Sequence, residues 1–272
     1  MACNPDILCT ELFNLAKGNF NKSIGFKLLV YVTGVAALFI TDKFSIIPVF
    51  ALVLVILSEL FQFRSDNFKR SSESLRRKLD FNNSFGWEIA PAELTDILTQ
   101  VPVHIENKVE SGKDVPYFAS KQGIGPARAV DNLEESAWYS KHLATIAFNY
   151  CMGTLAFIIV GSVIVLYFAF NSHVDDQITA KISKIITSTI MIIFSLGLTR
   201  LAIGYYRFSN RSDRVEAQAI SRIKAGTVSE VEAIKLWLEY HIARASSPLI
   251  PEIIWKRNKD RLNRLWQKHR EK

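Results

Sequence analysis

The sequence predicts an all-α membrane protein: two transmembrane helical hairpins, four spans in all, with helical cytoplasmic extensions. Three observations carry this expectation. Apolar residues make up 49% of the 272-residue chain, and they are gathered into two pairs of runs rather than spread along it. None of these runs shows the polar face that a soluble bundle helix keeps toward water. Short polar turns part the members of each pair, and long charged stretches follow.

The runs are Leu28 to Thr41, Phe44 to Ser58, Leu143 to Ser172 and Ile185 to Thr199. A membrane span needs about 20 residues at 1.5 Å each. Only the third run reaches that length unaided. The others reach it by admitting Lys27, Glu59 or Arg200 near an end. A lysine or arginine there can extend its head group to the interface, whereas the shorter Glu59 cannot do so as easily. Asp42 and Lys43 form the first turn, and Asn171 to Lys184 the second. The first run starts late and passes almost directly into the second, which argues against a cleaved signal peptide.

Charge placement gives the expected orientation. Lys17, Lys22, Lys27, Arg64, Lys69, Arg70, Lys141, Arg207, Arg211 and Arg214 flank the spans on the side of the termini. The turn side has Lys43, Lys181 and Lys184, offset by Asp42, Asp175 and Asp176. The positive-inside rule then places both termini and the central segment in the cytoplasm.

Five segments follow in order. Residues 1–26 are expected to form a cytoplasmic amphipathic helix. Asn4 suits its N-cap, Pro5 its first turn and Gly18 its end, with Ile7, Leu8, Leu12 and Leu15 on one face. Residues 27–63 are the first hairpin. Residues 64–142 are a cytoplasmic helical and loop segment. It opens with a basic extension of the second span, continues with a short helix from Pro91 stopped by Pro102, and from Lys113 carries a Gly/Pro-rich loop with Tyr117 and Phe118. A helix capped by Asp131 and Glu134 leads from there into the third span. Residues 143–206 are the second hairpin. Residues 207–272 are a helical tail, broken at Gly226, recapped by Ser229 and Glu232, and ending in a basic stretch.

Enzyme signatures are missing. The sequence has no nucleophile elbow, Walker loop, HExxH or GxGxxG, and Lys121 to Ala127 lacks the GK[ST] of a phosphate loop. Its three cysteines and five histidines have no metal-ligand spacing, and the adjacent acidic pairs Glu134/Glu135 and Asp175/Asp176 cannot share a helix face. The expectation is a non-enzyme without cofactor or metal. Glu59 and Arg200 fall at similar depths, so two readings stand side by side: an intramembrane ion pair between them, with Lys27 as the competing partner, or a Glu59 that simply points into the headgroups. Small residues such as Gly34, Gly153, Gly161 and Gly204 permit close helix approach. The basic clusters admit anchoring on anionic lipid or, with neighbouring aromatics, a small phosphorylated ligand; no nucleic-acid recognition module is present.

The segment Glu239 to Trp266, with Arg244, Pro248, Leu249, Ile250, Pro251 and Trp255, is similar to the closing segment of the bacterial four-span effector family that accompanies nucleotide second-messenger synthases in CBASS-type anti-phage defence. Asn132 to Ala144 resembles the family's segment before its third span. The resemblance implies a bacterial inner-membrane protein. A nucleotidyltransferase would make a cyclic oligonucleotide, and the effector would bind it on the cytoplasmic side, oligomerise or rearrange, and disrupt the membrane. Phosphates suit arginine, and bases suit aromatic stacking. The ligand candidates are therefore Arg128, Arg244, Tyr117 and Trp255, with a tail-to-core salt bridge as the alternative role of Arg244 and packing that of Trp255. A non-enzymatic scaffold, or a small channel or transporter, are the alternative functions; transporters need more spans and broken helices.

Overall fold

The computed structural model describes residues 4–37, 46–111, 118, 120–171, 180, 182, 185, 186, 189 and 197–271. Among them are eight helices and no strand: α1 (Pro5–Ala37), α2 (Ile47–Phe85), α3 (Pro91–Leu98), α4 (Val103–Ser111), α5 (Pro126–Asn171), α6 (Leu198–Ala225), α7 (Glu230–Ser246) and α8 (Glu252–Arg270). The chain forms two compact units. One comprises Met1–Lys17, Asp66–Ala147 and Gly204–Lys272; the other comprises Gly18–Ser65 and Phe148–Ile203.

The second unit carries many exposed apolar side chains. α2 and α5 are each long and apolar enough to cross a membrane. Only 11% and 17% of their most apolar stretches are buried, so little of either stretch is packed inside the structure. Val49, Leu52, Phe63, Phe157 and Val163 are all more than half exposed. Exposed apolar surface on this scale needs an apolar surrounding. Within this unit α1 and α2 meet through small polar residues. Ser58 Oγ donates to the Ser23 carbonyl at 3.3 Å, both serines are buried, and Phe26 stacks on Phe61 at 5.4 Å. Pro48 lies in the first turn of α2, where no backbone donor is required. The runs 28–41 and 185–199 fall partly outside the described residues.

The first unit has a conventional core. α5, α6 and α7 surround Trp237, Tyr240, Leu133, Val130 and Val215, all nearly or fully buried. Trp237 Nε1 donates to the Ala129 carbonyl at 2.8 Å, so its indole is buried without an orphaned donor. A second cluster joins Leu8, Cys9 and Leu12 of α1 to Leu75 and Leu79 of α2 and Ile105 and Val109 of α4. A third sets Trp138 of α5 against Leu262 and Trp266 of α8.

Two sequence expectations need correction, and one helix was not anticipated. Gly18 does not end α1, which runs on through it. An interior glycine costs a helix about 1 kcal/mol, and apolar sequence continues on the far side. Asp131 and Glu134 do not cap a helix start, because α5 begins at Pro126 after Gly125 (φ 142°). They pair instead with Arg270 and His269 of α8. The sequence signals end at Pro102, yet α4 follows it, held by the buried Ile105 and Val109 one turn apart. The caps at Asn4 and Ser229 form as expected. Asn4 Oδ1 accepts from the Asp6 and Ile7 amides, and Ser229 and Glu232 exchange both capping-box bonds.

Candidate functional site

The first unit holds a half-open cavity of about 560 Å³. Six helices and two connecting segments line it. α1 presents Thr10, Phe13, Asn14 and Lys17, which recur at helical spacing on one face. α2 presents Lys69, Glu73 and Arg76 at i, i+4 and i+7. α5 adds Glu135, Ser136 and Tyr139, α7 adds Tyr240 and Arg244, and α8 adds Trp255 and Asn263; Phe208 of α6 and Phe118 complete the wall with Ser247 to Ile250. The volume falls within the range of small-molecule sites. Four cations face two carboxylates there, alongside six aromatic rings.

The α7–α8 connection is fixed from three directions. Lys69 Nζ donates to the Ala245 carbonyl at 2.9 Å and to the Ser247 carbonyl, occupying acceptors that the C-terminus of α7 leaves open. Tyr205 Oη donates to the Leu249 carbonyl at 2.6 Å. Pro248 packs on Gly204, where a Cβ would lie 2.6 Å from the proline ring. A side chain at position 204 would therefore push this wall out of place.

Arg244 is the electrostatic centre of the site. Its Nε donates to Glu73 at 2.7 Å and its Nη1 to Asp80 at 3.4 Å, while Nη2 is buried without a hydrogen-bond partner. Asp80 is fully buried, 3.0 Å from Arg76 Nε. Burial pushes the Asp80 carboxyl up from the usual aspartate range, and Arg76 and Arg244 pull it back. Arg244 is held well above the ordinary arginine range: burial opposes this, but Glu73 and Asp80 outweigh it. Its guanidinium also lies over the Tyr240 ring at 5.5 Å. Lys17 and Lys69 are lowered from the usual lysine range by burial.

Two reactive residue types nearby are chemically quiet. Cys9 lines the cavity, but burial pushes its thiol up to about 12, and Sγ donates to the Ser72 carbonyl at 3.6 Å. It carries no thiolate at neutral pH. His241 is stacked on Trp237 at 5.0 Å and lies 3.8 Å from Asp80; burial, then Arg244, Arg77 and Arg76, depress it to about 2. It is a neutral packing group. Among the described residues no cluster of histidine, cysteine and carboxylate side chains is placed to hold a metal ion.

The structure brings Arg244 and Trp255 to the same cavity. Arg128, in the first turn of α5, is half-buried and does not line it. Tyr117 lies outside the described residues, and its neighbour Phe118 lines the cavity. Arg244 also makes the tail-to-core salt bridge. In the other unit Glu59 lies 3.5 Å from Lys27, and Arg200 is exposed; Lys27, not Arg200, is therefore the partner of Glu59. Sequence reasoning missed Lys17, Lys69, Glu73 and Arg76. The Lys-Glu-Arg spacing at 69, 73 and 76 places them on one face, but not which helices face it.

No protein-family model matches the chain, and no curated protein or solved structure does either.

Proposed function

We propose that the protein is a ligand-gated membrane effector of bacterial anti-phage defence. In this reading a cyclic oligonucleotide enters the cytoplasmic cavity and the apolar helices then breach the inner membrane, as an oligomer, in a four-span arrangement with both termini cytoplasmic. A neighbouring nucleotidyltransferase would supply the ligand.

The observation that carries the reading is the convergence of Arg244 and Trp255 on a cavity of about 560 Å³ with two further lysines and five further aromatic rings. A phosphodiester needs cationic donors, and its bases need flat apolar faces. The largely exposed apolar stretches of α2 and α5 supply the membrane component. These same helices also contribute Lys69, Glu73, Arg76 and Tyr139 to the cavity, so occupancy acts on the helices that carry the apolar segments. A ligand shifts such an equilibrium only by binding its two states with different affinity.

The test is binding of a panel of cyclic di- and trinucleotides to the full chain in nanodiscs. At least one member is expected to bind. Arg244→Gln should weaken it about tenfold to a hundredfold, as for a charge-assisted bond of about 1.5–3 kcal/mol, and Trp255→Ala should weaken it through lost stacking. Binding by no member, or binding indifferent to both substitutions, overturns the reading.

A further inference from the structure

The pairing of Arg244 is incomplete in a particular way. Nε and Nη2 form the edge of a guanidinium that can grip two oxygens of one anion side by side. Glu73 takes only Nε, at 2.7 Å through Oε2, and Nη2 on the same edge is buried without a hydrogen-bond partner. The remaining amino group, Nη1, is directed to Asp80 at 3.4 Å. The two carboxylates differ in position. Asp80 is fully buried behind the cavity and does not line it, whereas Glu73 does. Asp80 also keeps Arg76 as a second counterion at 3.0 Å. The inner charges can therefore remain balanced if Glu73 withdraws and another anion takes its place. Glu73 lies on α2 and Arg244 on α7, so this bond is the tie between the two helices that faces the cavity, beside the deeper Arg244–Asp80 contact and the Lys69 bond to Ala245.

We propose that Glu73 is an internal stand-in for a ligand phosphate: a phosphate entering the cavity displaces it and takes both prongs, Nε and Nη2, of Arg244. This deepens the proposed function and rests on its reading of the cavity as an anion site. Glu73 thereby sets the affinity of the cavity. It lowers it by competition, and its displacement removes one of the α2–α7 ties when the cavity fills.

The experiment uses the full chain in nanodiscs with inorganic pyrophosphate as the probe, read by tryptophan fluorescence from Trp255 in the cavity wall. Glu73→Gln removes the competing charge and should tighten pyrophosphate binding roughly tenfold or more, about one decade of Kd. Glu73→Asp keeps the charge but draws it back by one methylene; it should give an intermediate gain and guards against a glutamine variant that folds poorly. Glu135→Gln removes the other carboxylate of the cavity wall and measures the general effect of losing a negative charge there. It should tighten binding by less than about threefold, since it does not occupy Arg244. Arg244→Gln should abolish the gain from Glu73→Gln when the two are combined. An equal gain from Glu135→Gln and Glu73→Gln, or no gain from either Glu73 variant while the wild type binds, overturns the exchange and leaves the anion site standing. No pyrophosphate binding by any form overturns both.

Discussion

Gly204 is where a single atom decides the shape of the cavity. An added Cβ would meet Pro248 Cγ at 2.6 Å, and a proline ring cannot rotate away. Gly204→Ala should cost about 1–3 kcal/mol, the usual penalty for overpacking, and should weaken ligand binding by displacing residues 247 to 250. Denaturant unfolding of the detergent-solubilised chain checks the first part and the nanodisc assay the second. His241 gives a pH prediction. Its neutral ring is set among Trp237, Phe81, Tyr240, Asp80 and Arg244, with its folded pKa depressed to about 2 from 6.5. A depressed histidine contributes stability that is complete above pH 6.5 and is lost as pH falls toward about 2. The buried Asp80 carboxyl, shifted upward, acts in the opposite sense. The comparison is therefore between wild type and His241→Phe: the variant should lose less stability between pH 6.5 and 4. Equal pH slopes would contradict the buried neutral histidine.

Helix boundaries divide into those set locally and those set by packing. The caps at Asn4 and Ser229 were legible because each bond closes within three residues. Ser229→Ala removes one half of the capping box and should cost about 0.5–2 kcal/mol, read by chemical unfolding. Because α7 carries Arg244, the same change should also weaken anion binding modestly. Gly18 and Asp131 carry equally good local signals and mislead. At Gly18 apolar sequence on both sides keeps the helix going. At Asp131 the positive φ of Gly125 and the fixed φ of Pro126 start the helix earlier, and partners on α8 use the two carboxylates instead. α4 was missed because it is only nine residues long and is held by two buried side chains. The cavity was only partly legible. Arg244 and Trp255 stood out by chemistry, but Thr10 and Arg244 are more than 200 residues apart, and periodicity does not encode which helix faces meet. Lys69 stood in the sequence only as one of the basic residues flanking the spans; it caps the end of α7.

At the scale of the whole chain, two surfaces of opposite character belong to the same continuous helices. α2 carries exposed Leu52, Ile56 and Phe63 in its first half and buried Leu75, Leu79 and Asp80 in its second. α5 does the reverse, from buried Leu133 and Ala137 to exposed Phe157 and Val160. One helix can serve both a lipid-facing and a ligand-binding segment only if its pattern changes partway along. Both helices change in that way. Trp237→Ala, deep in the polar unit, should cost about 3–5 kcal/mol and reduce anion binding while the chain still fractionates with membranes. The most direct measurement is release of an entrapped dye from liposomes carrying the full chain, with the cyclic nucleotide that binds in nanodiscs and with none. The account expects leakage that depends on that nucleotide and is lost in Arg244→Gln. Leakage that is the same with and without it, or that survives the loss of Arg244, would contradict a membrane opened from the cavity.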